Sequence, residues 1–169
     1  MSMKKSIVIA GFPGIGKTTL ARKYKNVCDL DSVAYNWDNA EYTDFSEEQI
    51  KGMTRNPNPF WPQNYIGEIK AKMQEYDILL VKSNPDILEL YDKENISYMI
   101  CYPCKEALEE YRQRYIKRGN SAEYIERTLG SYDLKVQKWN ESLSEKIILK
   151  CNEMLETYLI NNGYSLINK

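Results

Sequence analysis

Gly11-Phe12-Pro13-Gly14-Ile15-Gly16-Lys17-Thr18 fills every fixed position of the pattern G-x-x-x-x-G-K-[ST], and this is where the chemistry of the 169-residue chain begins. Glycines at these spacings let backbone N–H groups converge on phosphate oxygens without a Cβ in the way, and a helix start adds positive potential. Lys17 is then placed to reach β- and γ-phosphates, and the Thr18 hydroxyl to ligate Mg²⁺. The stretch from Gly11 through Thr19 is expected to bind a nucleotide.

Two carboxylates follow, in Asp29-Leu30-Asp31-Ser32. They sit at the end of a short apolar run, and alternation along a strand turns residues 29 and 31 the same way. Asp29 is expected beside the metal, and Asp31 beside the substrate as proton acceptor with Ser32 next to it. The alternative is an ordinary Asp-rich turn. The next apolar run ends Leu80-Val-Lys-Ser-Asn84 with no acid, which raises the value of Asp29 as the metal partner and argues against a motor-type ATPase.

Arginine is scarce, 6 against 17 lysines, yet Arg112, Arg114, Arg118 and Arg127 fall within one short stretch. Arg114 and Arg118 are four apart on an expected helix, a mutually repulsive arrangement that a polyphosphate between them would relieve. Arg114 and Arg118 are expected to act on the transferring group, Arg112 on the nucleotide and Arg127 on the substrate. A solvated helix face with Glu109 and Glu110 as partners is the rival reading. The insertion at about 34–64 and the residue just after it carry Tyr35, Trp37, Tyr42, Phe45, Arg55, Phe60, Trp61 and Tyr65, and Arg55, Trp61 and Tyr65 are the candidates for gripping a substrate there. A hydrophobic cluster under a long loop fits the same residues.

Composition closes several doors. There is no histidine, so Ser-His-Asp catalysis, His-ligated zinc and imidazole proton shuttling are out. A formal charge of −1 gives no reason to expect stable nucleic-acid binding. No apolar run is long enough for a membrane span or a signal h-region, so a cytoplasmic protein is expected. Of the four cysteines, Cys101 and Cys104 form a C-x-x-C, but at the end of a strand past mid-chain, where ordinary thiols are expected over a redox pair.

The elements that position these groups read as α/β. Near-continuous apolar strands are expected at 6–10, 27–29, 77–81, 98–101 and 146–150, separated by helical segments, which means a parallel sheet covered on both faces. Helices are expected at 17–25, from Trp61-Pro62 to about 75, from Asn84-Pro85, from Pro103 to Arg118 with Gly119 as the stop, and from 120 or 121 to about 130. Ser46-Glu-Glu-Gln49 reads as a capping box. The whole chain, 1–169, is expected to form one domain, with an acceptor-side insertion at about 34–64 and a lid at about 104–130.

With these residues in view the chain resembles the P-loop kinases of small molecules, the adenylate/nucleoside kinase and shikimate kinase group. More narrowly it is similar to small P-loop proteins of phages and Gram-positive bacteria taken as nucleoside or nucleotide kinases. They share D-x-D-S, N-P-x-W-P-x-N-Y-I and R-x-R-x-x-x-R-G-N, here Asp29–Ser32, Asn58–Ile66 and Arg112–Asn120. The resemblance implies a three-layer αβα sandwich with strand order 2-3-1-4-5. It also implies γ-phosphoryl transfer from ATP, rather than GTP, with Mg²⁺, to a nucleoside or nucleoside monophosphate, under an arginine lid. Lys82-Ser-Asn-Pro85 stands where adenylate kinases have an Asp-Gly-Phe-Pro-like element, so the acceptor does not carry over. A kinase of a non-nucleotide metabolite, or a nucleotide switch working through a protein partner, are the alternatives, and a homodimer stays open.

Overall fold

The computed structural model describes residues 5–38 and 55–169. Seven strands are found among them: β1 (Ile7–Gly11), β2 (Val27–Asp29), β3 (Trp37–Asp38), β4 (Asn56–Pro57), β5 (Ile78–Lys82), β6 (Met99–Pro103) and β7 (Lys146–Leu149). The helices are α1 (Lys17–Lys23), α2 (Val33–Asn36), α3 (Gln63–Lys72), α4 (Pro85–Lys93), α5 (Leu108–Lys117), α6 (Ala122–Gly130), α7 (Tyr132–Glu141) and α8 (Leu155–Asn161). Five strands form one sheet in the order β2-β5-β1-β6-β7, every pairing parallel. Flanking helices give an arrangement compatible with a three-layer αβα sandwich.

The apolar runs explain the sheet. Val8, Ile9 and Ala10 of β1 and Ile78 to Val81 of β5 are each at most 2% exposed, so both faces of these strands are covered. Such continuous burial is what a parallel sheet with helices on both sides requires. Strand limits differ from the expected ones by a residue or two, as fraying ends do.

Three helix ends show their local causes. Pro85 occupies the first position of α4, where a missing N–H costs nothing. The Ser121 hydroxyl accepts the Tyr124 N–H at 3.2 Å to start α6. Gly119, at φ 79°, ends α5 and lets the Asn120 N–H reach back to the Tyr115 carbonyl at 3.0 Å. A short 3-10 turn at Lys105–Ala107 precedes α5, and α3 begins two residues later than Trp61. The β3–β4 antiparallel pair, α2, α7 and α8 were not expected from the sequence. Tyr42, Phe45 and the Ser46–Gln49 capping box lie outside the described residues.

Candidate active site

β1 lies mid-sheet and delivers Gly11 to the C-terminal edge, where the chain curls through residues 12–16 into α1. Gly14 and Gly16 hold φ of 94° and 100°, a region that side-chain-bearing residues avoid. A Cβ on Gly14 would also come within 3.1 Å of both the Tyr111 and Tyr115 rings. The Phe12 N–H donates to the Cys101 carbonyl at 2.8 Å, and the Leu155 N–H to the Ile15 carbonyl at 3.1 Å. From α5, the Tyr115 hydroxyl donates to the Pro13 carbonyl at 2.6 Å and Arg114 Nη1 to the Gly14 carbonyl at 3.1 Å. Phe12 and Ile15 are fully buried, Phe12 edge-on to Tyr111, Tyr132 and Trp139, so these two residues face the site with backbone alone. The carbonyls are thus tied down from outside, while the N–H groups of Gly14, Ile15 and Gly16 take no acceptor among the described residues. That pattern suits an anion.

Lys17 lies inside the curl, its ammonium donating to the Gly11 carbonyl at 2.7 Å. Burial pushes its pKa below the usual lysine value, against the opposing pull of Asp29 and Asp31. Thr18 Oγ1 donates to Asp29 Oδ2 at 2.9 Å. Burial raises the Asp29 carboxyl above its ordinary value, although the Thr18 hydrogen bond and Lys17 favour the ionised form. Strand geometry stops at Asp29. Asp31 is exposed at the start of a turn, accepting the Val33 N–H at 3.0 Å. Both carboxylates nevertheless border one cleft of about 650 Å³, together with Lys17, Thr18, Thr19 and Ser32.

The arginine cluster divides. Arg118 and Arg127 border the cleft. Arg114 does not: beyond its bond to Gly14 it lies 4.4 Å from the centre of the Tyr111 ring and 3.7 Å from Glu110, a brace under the loop. Arg112 also points elsewhere, ion-paired to Glu126 and, at 3.6 Å, to Glu109. The expected role of Arg112 at the nucleotide therefore has no support in its placement, because local glutamates hold it.

Among the described aromatics in and just after the insertion, Tyr35, Trp61 and Tyr65 pack together. Tyr65 is buried, with ring centres 5.4 Å from Trp61 and 5.5 Å from Tyr35. Its hydroxyl donates to the Leu30 carbonyl at 2.9 Å and accepts the Lys82 N–H at 3.1 Å, tying β2 to β5 behind the cleft. Arg55 lies 5.1 Å from the centre of the Trp37 ring. Arg55, Trp61 and Tyr65 are not among the residues bordering the cleft, in contrast to the expectation for them. Cys101 is buried, and burial pushes its thiol well above the usual range, opposite to what an attacking thiolate needs.

Two cationic cleft residues were not among the expected site residues, Lys82 at the end of β5 and Lys135 on α7. Lys82 stands where an acidic strand end was sought and found missing. Lys135 belongs to a helix whose spacing Tyr132, Val136, Trp139 was the available signal.

Among the described residues, no group of three His, Cys, Asp or Glu could hold a metal alone. The Thr18 hydroxyl and Asp29 carboxylate, one hydrogen bond apart, fit Mg²⁺, which needs few protein oxygens when phosphates and water complete its shell. No helix among the described residues is long and apolar enough to cross a membrane. No family model matches the chain, and no curated protein sequence does. The fold is similar to that of a Deinococcus radiodurans tunicamycin resistance protein, with a TM-score of 0.53, 13% identity, and coverage of 98% of this chain and 99% of that one.

Proposed function

We propose that this protein is a P-loop kinase that moves the γ-phosphoryl group of ATP to a small acceptor, most simply a nucleoside or nucleoside monophosphate. The observation that carries the reading is the Gly11–Thr18 loop, whose Gly14, Ile15 and Gly16 N–H groups take no acceptor among the described residues, beside a cleft that also holds Lys17, the Thr18–Asp29 pair and Arg118. The sheet order supports it, since the five parallel strands numbered among themselves run 2-3-1-4-5. The Lys17 ammonium would exchange the Gly11 carbonyl for β- and γ-phosphate oxygens. Thr18 and Asp29 would hold Mg²⁺, which when bound offsets phosphate charge. Asp31 would take the proton of an acceptor hydroxyl as that oxygen bonds to the γ-phosphorus and the bond to the β-phosphate oxygen breaks, releasing ADP. Arg118, which borders the cleft, would meet the charge that develops on the phosphoryl oxygens, and Arg127 would contact the acceptor.

The test is ADP release from ATP·Mg²⁺ across a panel of nucleosides, nucleoside monophosphates and small polyols, with mass spectrometry of the products. One acceptor should stimulate release strongly and gain one phosphoryl group, and Lys17→Ala should abolish this. ADP release indifferent to every acceptor, or turnover surviving in K17A, would sink the assignment.

A further inference from the structure

Lys82 and Lys135 border the cleft, yet neither has an ion-pair partner among the described residues. Both are partly buried against aromatic rings. The Lys82 ammonium lies 5.4 Å from the centre of the Trp61 ring and that of Lys135 5.7 Å from the centre of the Phe12 ring. Burial lowers the pKa of each, and the like charges of Arg127 and Lys82 lower that of Lys135 further. A surface lysine escapes such a position by swinging its head into water. Here Lys82, Lys135 and Arg127 share one cleft, and Asp31 is the carboxylate that acts on Lys82.

Like charges held together and partly desolvated cost stability unless an anion fills the space between them. In the kinase reading, on which this inference rests, the donor's phosphates already have Lys17, the loop N–H groups and Arg118. Lys82 instead belongs with the acceptor. Asp29 stands opposite Leu80 where β2 ends, and beyond it Asp31 and Lys82 both border the cleft, where the Asp31 charge acts on Lys82. Asp31 is the group assigned to the acceptor hydroxyl, and Lys82 is its neighbour.

We infer that the acceptor carries a phosphomonoester of its own, received between Lys82 and Lys135. Arg127 stands on the same side and completes a three-cation pocket for a dianion.

The experiment is calorimetry on the intact protein with Mg²⁺ and a non-hydrolysable ATP analogue. Adenosine, guanosine, cytidine, thymidine and ribose are compared with their 5′-monophosphates. At least one phosphorylated member should bind about tenfold or more tighter than its parent, as two charge-assisted contacts imply. In Lys82→Met with Lys135→Met that preference should collapse, while the affinity for the ATP analogue stays unchanged. Methionine keeps the stems packed on Trp61 and Phe12, and retained analogue binding certifies the fold; K135M alone, in which the preference should weaken, covers a double variant that fails to fold. No preference in the wild type, or a preference that survives the substitutions, overturns the inference. Analogue affinity falling along with the preference also overturns it, since the lysines would then serve the donor. Titration of the analogue by itself decides the kinase reading separately: a protein that does not bind it overturns both.

Discussion

Thr18 and Asp29 meet across the gap between the start of α1 and the end of β2, the hydroxyl donating to the carboxylate over 2.9 Å. The bond keeps a half-buried carboxylate beside the half-buried Lys17, a combination that folding alone does not favour.

Replacing Asp29 should therefore separate stability from activity. Burial raises its folded pKa, so the folded state prefers the protonated acid. The wild type accordingly loses stability as pH rises through that pKa, whereas asparagine has no proton to lose. Asp29→Asn is expected to melt higher than the wild type near neutral pH. The gap should close as pH falls towards the ordinary carboxylate range near about 4. Its turnover should drop by about a hundredfold or more if it holds the metal. Thermal melts from acid to neutral pH check this, and a gap that does not move with pH contradicts it.

The three arginines near the loop should give three different phenotypes. R114A removes a bond to the Gly14 carbonyl and the packing on Tyr111, which together imply about 2 kcal/mol and a melting point lower by several degrees. Arg118 is exposed on the cleft, so R118A should leave the melting point alone and cut kcat by about a hundredfold. R112A breaks surface ion pairs and should change stability by less than about 1 kcal/mol and activity not at all. Melting curves and steady-state kinetics on the same preparations distinguish them.

Tyr115→Phe takes away a single oxygen, the donor to the Pro13 carbonyl. It should cost about 1 kcal/mol and raise KM for ATP more than it lowers kcat, because the loop is loosened while the reacting groups stay. An unchanged KM would mean the other ties suffice to hold the loop.

Gly14→Ala meets two obstacles at once, a positive φ and the two tyrosine rings. Nucleotide affinity should be lost, with destabilisation of about 1–3 kcal/mol, checked by nucleotide titration and chemical denaturation.

The glycine-rich loop and the parallel sheet were legible because each leaves a local mark: fixed spacing in one case, continuous apolar runs in the other. Asp29 and Asp31 were legible as a pair, but not their difference, since the strand stops between them, leaving Asp29 half-buried and Asp31 exposed. The arginine cluster misled in detail. Sequence spacing puts Arg114 and Arg118 on one helix face, yet the loop carbonyl claims the first and the cleft the second. Lys135 was out of reach for a different reason: it enters the site through the packing of α7 against Phe12, a contact spanning more than a hundred residues that no local pattern encodes.

The ties that shape residues 12–16 come from Cys101, Arg114, Tyr115 and Leu155, all far downstream of the loop itself. A chain emerging from the ribosome makes Gly11–Thr18 long before the first of those fasteners, Cys101, and longer still before the last, Leu155. Contacts of such separation form late and slowly. In the kinase reading, affinity for nucleotide is therefore expected only once Leu155 has been made, and the onset of nucleotide binding during refolding should coincide with burial of Leu155 rather than with formation of α1.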